Sequence, residues 1–410
     1  MYSPDTLVSV HPFTRQPEGE EVIIGRLETG VFLAVPPEAV EVLEYLAQGK
    51  SVGEASEIFR QAHGEVPDLD EFLDLLEAKG IVRPLAAGNS GKSEGVNAVA
   101  QPAQLRYHFS NFPSALAQWI FSLPVLACCF GAMAFAVVLV VRVPGLLPGP
   151  RDLYFPDHRT LSWTILILSS YATLFLHELG HLVAARALGI NSRMRISHRL
   201  WYLVAETDLT GLWSVEKAKR YLPLLAGALI DATSGAVLLL LLFAHNQKWL
   251  AISAIGVRVL RAMVFTYMMR LVWQCFLFVR TDFYYVIAGF FNCRNLLGDT
   301  ENFLRSQAAR VLPWFRPVNQ SAIPAAEQRV IRVYSVIWVA GRIAALTLLV
   351  AISIPVFIRY VQNLAGVLGA GYSAHPGDFV DALLLAAYFL IPFIVGLALW
   401  IGSLLRRERN

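Results

Sequence analysis

The sequence predicts an all-α polytopic membrane domain of about six spanning helices, preceded by a small α+β domain. Of its 410 residues, 56% are hydrophobic and 16% are charged, a balance typical of membrane proteins with some soluble mass. The charge is divided unevenly, because residues 1–85 hold six Lys/Arg against sixteen Asp/Glu, whereas the remainder has a net charge near +13. We therefore divide the chain into an acidic domain, 1–85, a linker, 86–112, and a membrane domain, 113–410.

Residues 1–85 carry the signals of a compact α+β domain. The β-rich runs 22–26 and 31–35 flank Glu28-Thr29-Gly30, which predicts a hairpin. The capping box Ser51-Val52-Gly53-Glu54 predicts the start of a helix. Strands, three short helices and a last strand are typical of a winged helix-turn-helix. The helices are expected at 37–48, 51–62 and 69–80, and the last strand at 81–85.

The segment after this domain has a different composition. Residues 86–104 are rich in Ala, Gly, Ser and Asn and show no periodicity, which predicts a flexible linker. The first apolar run begins near residue 113, so no amino-terminal signal peptide is expected. The four cysteines form no CxxC pair, so neither a disulfide framework nor a thiolate zinc site is expected.

Six apolar segments are expected to span a membrane, and the connections between them alternate in basic content. Three connections or ends are rich in Lys and Arg: those after the second and fourth segments and the carboxyl-terminal tail. The positive-inside rule then puts both termini in the cytosol of a cell inner membrane. The fourth segment is interrupted by Arg258, Arg261 and Arg270, so Arg270 must face the bundle interior or reach the interface. The segments are 114–141, 161–188, 222–243, 253–279, 333–358 and 380–404.

The second segment contains His177-Glu178-Leu179-Gly180-His181. On a helix, this HExxH spacing puts two imidazoles on one face, where both can bind one Zn²⁺ ion. Glu178 then lies close enough to act as general base for a water molecule on the metal. Three ionisable residues in one turn of a membrane helix are costly, so a functional site is the expected reading.

A zinc site of this kind needs a third protein ligand, and two aspartates compete for the position. Asp231 lies in the third segment and Asp282 follows the fourth. Depth favours Asp282, because Asp231 would lie a helix turn or more inside the membrane. The alternative for Asp231 is a packing residue hydrogen-bonded to a neighbour, and the alternative for Asp282 is an interfacial pair with Arg280.

At these residues the chain resembles the site-two protease group of intramembrane zinc metalloproteases. The HELGH helix is the first match, and Ala226-Gly227 followed by Asp231 is similar to the AGPxxN helix of that group. The stretch from Thr281 to Ile287, followed by Asn295-Leu296, resembles the LDGYYLL…PNL pattern of its "peptide zinc metalloprotease" branch. The resemblance implies Asp282 as the third ligand. Phe283 replaces the usual Gly, and Gln274-Cys275-Phe276 stands where an Asn-Pro pair normally precedes the Asp.

The acidic domain resembles PqqD-like domains, which recognise peptides in systems that modify ribosomal peptides. The match covers Val22-Ile23-Ile24, the run 31–35, Gly49 to Glu54, and Phe72 to Val82. A winged helix could also bind DNA, but a domain with a net charge near −10 should repel a duplex. A peptide added as a strand at a sheet edge needs only free backbone groups and side-chain pockets. We therefore expect a peptide partner and no nucleic acid.

Together these patterns predict a zinc metalloprotease that cleaves a leader-containing precursor peptide captured by the acidic domain. Its expected ligands are His177, His181 and Asp282, and Tyr284 and Tyr285 could donate hydrogen bonds to a developing oxyanion or simply lie in an interfacial aromatic belt. One alternative is a non-hydrolytic scaffold that binds a leader, an export factor or an immunity factor. A further alternative is regulated proteolysis of a membrane-bound transcription regulator.

Overall fold

The computed structural model describes residues 2–85, 112–153, 159–199, 202–321, 323–373 and 376–407. The chain forms two compact units. The first contains the amino-terminal domain together with Leu188–Arg193 and Asp208–Tyr221, and the second contains the remaining helices. Of the linker predicted at 86–112, all but residue 112 lies outside the described residues.

The first unit is built from strands and three short helices. A hairpin sheet has the antiparallel order β2-β3-β4, and β1 pairs antiparallel with β5, with Leu7 opposite Leu85. The expected hairpin, helices and last strand are confirmed, and β1 and β2 are additions that the sequence pattern did not show. The elements are β1 Leu7–Val10, β2 Thr14–Glu18, β3 Glu21–Arg26, β4 Val31–Val35, α1 Pro37–Ala47, α2 Val52–His63, α3 Leu69–Ala78 and β5 Val82–Leu85.

The core of this unit lies between the helices and the strands. Ile24, Leu43, Leu73, Leu76 and Ile81 are completely buried. At the start of α2, the Glu54 amide donates to the Ser51 hydroxyl and the Ser51 amide donates to the Glu54 carboxylate, as a capping box requires. The short helical turn Thr210–Ser214, also part of this unit, contacts β2, β3 and β4.

The second unit is helical apart from one hairpin. That hairpin, β6 with β7, lies in the segment between α6 and α7, which was expected only to be a basic connection. Its elements are α4 Ser114–Ile120, α5 Leu123–Arg142, α6 Arg159–Ala187, β6 Arg193–Arg199, β7 Tyr202–Asp208, α7 Lys217–Asn246, α8 Ala254–Gln274, α9 Asp282–Phe290, α10 Leu296–Ala308, α11 Ala325–Leu348, α12 Ile354–Ala370 and α13 Pro376–Arg407. The ends of β6 and β7 at Arg193 and Asp208, and the first five residues of α7, 217–221, belong to the first unit.

Among the described residues, five helices are long and apolar enough to cross a membrane, as expected of a membrane protein. They are Ser114–Arg142, Thr164–Ala187, Lys217–Asn246, Ala325–Ala370 and Pro376–Leu399. The expected fourth span, α8, forms a helix of 21 residues but is not among them. The arginines of α8 lower its hydropathy. Two of them have partners: Arg261 forms an ion pair with Asp152, 2.6 Å from Nε to Oδ1, and Arg270 points to buried acceptors on other helices.

Candidate metal centre

One face of α6 carries the expected pair of imidazoles. Thr173, His177 and His181 are spaced four residues apart, so the helical repeat stacks them along one stripe. All three side chains are buried, with exposures of 1%, 4% and 3%. The two Nε2 atoms are 3.2 Å apart. The HExxH spacing therefore delivers two ring nitrogens to one point inside the helical unit.

The third ligating group comes from the first residue of α9. The Asp282 Oδ2 atom lies 3.1 Å from His177 Nε2 and 3.4 Å from His181 Nε2. Asp282, rather than Asp231, is the carboxylate that joins both Nε2 atoms in a group able to hold a metal ion. The alternative pairing of Asp282 with Arg280 does not form.

The three distances between the two Nε2 atoms and Asp282 Oδ2 can be compared with the distances between ligand atoms in a zinc site. Zinc is bound tetrahedrally at about 2.0–2.1 Å by imidazole nitrogen and carboxylate oxygen, which puts neighbouring ligand atoms roughly 3.3 Å apart. The distances of 3.1, 3.2 and 3.4 Å fit that value. Three ligands of this kind leave a fourth position for water or substrate, as catalytic zinc sites require.

Both imidazoles are oriented by acceptors at their other nitrogen. His177 Nδ1 lies 2.8 Å from Asp231 Oδ2, and His181 Nδ1 lies 2.7 Å from the Pro223 carbonyl oxygen. An acceptor at Nδ1 places the proton there and leaves Nε2 with its lone pair for a metal. Asp231 is not part of the group of three possible ligand atoms, and its carboxylate, on α7, forms a hydrogen bond with the His177 ring.

Asp231 is itself completely buried and is paired with Arg270 of α8. The Arg270 Nη1 atom lies 3.1 Å from Asp231 Oδ1, and its Nη2 atom donates to the Thr173 hydroxyl at 2.6 Å. The expectation that Arg270 faces the bundle interior is confirmed. A buried carboxylate is costly without a counter-charge, and Arg270 supplies one to Asp231.

Two glycines allow α6 and α7 to approach closely at the site. A Cβ atom at Gly227 would lie 2.5 Å from the Nε2 atoms of both His177 and His181. A Cβ atom at Gly180 would lie 2.5 Å from Ile230 Cδ1 and 3.2 Å from the Ala226 carbonyl oxygen. The Ala226-Gly227 pair noted in the sequence therefore has a steric reason, since any larger residue at 227 would occupy the space beside the ring nitrogens.

Asp282 is held in place by Gln274, the last residue of α8. The Gln274 side-chain amide donates to Asp282 Oδ2 at 2.9 Å, and its Oε1 accepts from the Asp282 backbone amide at 3.0 Å. The Thr281 hydroxyl donates to the Gln274 carbonyl at 2.9 Å and so closes the turn between α8 and α9. Burial alone would raise the pKa of the Asp282 carboxyl, but its interactions with the His177 and His181 imidazoles lower it overall.

Glu178 is buried beside the ligands, 8% exposed, and is bound by a residue that the sequence did not single out. The Thr207 hydroxyl, on β7, lies 2.7 Å from Glu178 Oε2 and 3.0 Å from the Glu178 carbonyl oxygen. No spacing rule links residue 207 to residue 178, because the contact depends on the β6–β7 hairpin. The hydroxyl fixes one carboxylate oxygen of the expected general base.

The two tyrosines after Asp282 do not join the ligating group. The Tyr284 hydroxyl accepts from the Leu297 backbone amide at 3.0 Å, so it ties α9 to the start of α10. The Tyr285 side chain is 44% exposed. An oxyanion role for either residue receives no support from these positions.

Comparison with protein-family models, with curated proteins and with solved structures finds no match to this chain. The family resemblances therefore rest on the quoted motifs, and the chemistry rests on the geometry of the residues described above.

Proposed function

We propose that this chain is a membrane-embedded zinc metalloprotease of the site-two protease type. One observation carries the proposal: His177, His181 and Asp282 offer three buried ligand atoms at mutual distances of 3.1–3.4 Å, with the carboxylate of Glu178 on the same turn of helix. A purely structural zinc site has four protein ligands, and the described residues supply three here.

The residues divide the chemistry between them. His177, His181 and Asp282 would hold the ion, and bound zinc supplies Lewis-acid activation of a water molecule and of a peptide carbonyl. Glu178 accepts the proton of the attacking water and returns it to the leaving amine. Thr207 occupies Oε2, so among the described residues Oε1 keeps its lone pairs for that proton. Asp231 and Gln274 orient the ligands and do not touch the reacting atoms.

The proposed substrate is a leader-containing precursor peptide bound by a PqqD-like winged-helix domain at 1–85. The support is the strand and helix order of that domain, its net charge near −10, and strand β2, which lies at the end of the β2-β3-β4 order. An extended peptide can pair with such an edge strand through backbone groups alone. Tethering raises the local concentration of the scissile bond, so weak contacts at the zinc could suffice.

The proposed location is a cell inner membrane with both termini in the cytosol. This topology follows from the positive-inside rule together with six crossings, of which α8 is one. Five helices meet the requirements of length and hydropathy. A reporter fused after residue 248, before α8, should face outward, and one fused after residue 316, before α11, should face the cytosol. If α8 does not cross, both reporters face outward.

The activity can be tested with purified full-length protein in detergent. We expect about one zinc per chain, and new amino termini in a proteome-derived peptide library, detected by mass spectrometry. The Glu178→Gln protein should keep its zinc and lose cleavage by roughly 10²–10⁴-fold, because only the proton transfer is removed. Equal cleavage by the wild type and this variant would exclude the mechanism.

The two alternatives remain as outcomes of the same experiment. Stoichiometric zinc without any turnover would favour a leader-binding scaffold, export factor or immunity factor, in line with Phe283 and the missing Asn-Pro pair. Cleavage confined to membrane-spanning helices would favour processing of a membrane-bound transcription regulator.

A further inference from the structure

A cavity separate from the metal centre lies between α10, the segment after it and α11. It has a volume of about 750 Å³, and its wall contains two arginines, one glutamate and three aromatic rings. These residues are Glu301, Arg305, Trp314, Phe315, Trp338 and Arg342. None of them takes part in the proposed hydrolysis, so the cavity calls for a separate explanation.

The polar groups of this cavity are incompletely paired. Arg342 stacks on the Trp338 ring, 4.9 Å from its centroid, and its only acidic partner among the described residues is Glu301 at 4.0 Å, the outer limit of an ion pair. Arg305 forms no ion pair with any described residue. The Trp338 Nε1 atom is buried and has no acceptor in the described part of the chain. Because Nε1 is covered by protein atoms, the donors left for a ligand in this cavity are those of the two guanidinium groups.

The position of the cavity along α11 and α12 indicates a membrane boundary. The sixteen residues from Ile343 to Ile358 contain no ionisable side chain, and arginines 342 and 359 stand at the two ends. Sixteen helical residues extend about 24 Å, less than the roughly 30 Å hydrocarbon core of a bilayer, so the long side chains of both arginines can reach the two interfaces. Arg342 therefore lies where phospholipid headgroups lie, and Trp314, 72% exposed, is the residue type enriched there.

From these observations we propose that this cavity binds the headgroup of an anionic phospholipid. The phosphate diester lies between Arg305 and Arg342, and the acyl chains follow the exposed side chains of Ile343 and Leu346. The net charge of the residues that line the cavity favours an anionic lipid over a zwitterionic one. Two guanidinium groups and one carboxylate leave a single positive charge, which one anionic lipid neutralises and a zwitterionic lipid leaves uncompensated.

Native mass spectrometry of the full-length protein tests the proposal, with dioleoylphosphatidylglycerol and dioleoylphosphatidylcholine titrated separately. We expect tighter binding of phosphatidylglycerol, and a loss of about tenfold or more for Arg305→Gln with Arg342→Gln, since each guanidinium contributes a charge-assisted hydrogen bond. Arg329→Gln with Arg332→Gln removes the same charge from exposed sites on α11 outside the cavity, and this control should bind as the wild type does.

A second variant separates the site from a general loss of folding. Trp338→Leu removes the aromatic ring on which Arg342 stacks, so it should weaken phosphatidylglycerol binding and leave the zinc content unchanged. Equal affinity of the wild type for the two lipids, or unchanged binding in both the arginine and the tryptophan variants, would overturn the proposal. Competition by inorganic phosphate at the same concentration would assign a soluble phosphate ligand instead and would also overturn it.

Discussion

Gln274 holds Asp282 at two points, because its amide nitrogen donates to the ligating Oδ2 atom and its amide oxygen accepts from the Asp282 backbone. The carboxylate is thereby fixed against both imidazoles by a residue of the preceding helix. The site-two proteases that the HELGH motif resembles have an Asn-Pro pair before the corresponding aspartate, whereas this chain has the side-chain amide of Gln274 there. Four testable consequences follow from the geometry of the centre.

Replacing Gln274 by Ala should weaken zinc binding, because Asp282 then loses its orienting partner. Outer partners of metal ligands typically contribute about 10–100-fold in affinity. Competition with a chromophoric chelator measures the change. Gln247→Ala, at an exposed position after α7, is the matched control and should bind zinc as the wild type does. Wild-type affinity in Gln274→Ala would mean that Asp282 is positioned by other groups.

A methyl group at residue 227 should abolish stoichiometric zinc binding, since it would lie 2.5 Å from both ligating nitrogens. Gly235→Ala is the control on the same helix, because the nearest atom to its Cβ would be Tyr267 Cβ at an ordinary 3.5 Å. Zinc content per chain, measured by elemental analysis after gel filtration, distinguishes the two. Full zinc occupancy in Gly227→Ala would contradict the placement of α7 against the imidazoles.

Asp231 and Arg270 should behave as a coupled pair. Asp231→Asn leaves the Arg270 cation buried without its counter-charge, and breaking a buried pair from one side costs about 3–5 kcal/mol. We expect a lower Tm for Asp231→Asn and for Arg270→Met, and a double variant that is less destabilised than the two effects added together. Additive effects in this cycle would show that the two side chains do not interact. Zinc affinity should fall in Asp231→Asn, because His177 loses its charged partner.

Thr207→Val should reduce turnover without removing zinc. The substitution keeps the shape of the side chain and removes the hydroxyl that lies 2.7 Å from Glu178 Oε2. A hydrogen bond to a charged group contributes about 1.5–3 kcal/mol, so we expect a fall in kcat of roughly tenfold or more with unchanged zinc content. Thr207→Ser, which keeps the hydroxyl, should restore most of the rate. If Thr207→Val keeps the wild-type kcat, or if Thr207→Ser is as slow as Thr207→Val, the Thr207 hydroxyl does not assist the proton transfer.

Several elements of the fold could be predicted because their signals are local. The capping box of Ser51 and Glu54 and the 28–30 hairpin are complete within a few residues of chain, and both form as expected. The β1 and β2 strands were missed because β1 is only four residues long and Pro17 interrupts β2. The number of spanning segments was uncertain at α8, because three arginines lower the hydropathy of that helix.

The sequence by itself determined that the two imidazoles and the Glu178 carboxylate lie together, because the helical repeat brings residues 177, 178 and 181 close wherever α6 lies. Only the tertiary structure decided between Asp231 and Asp282, and it gave each a separate role. Those carboxylates lie 54 and 105 residues beyond His177 on other helices, so their distances to it depend on helix packing and not on spacing. The hydrogen bonds of Gln274, Thr207 and Arg270 could not be predicted either, because a hydrogen bond between two elements leaves no periodic signal in the sequence.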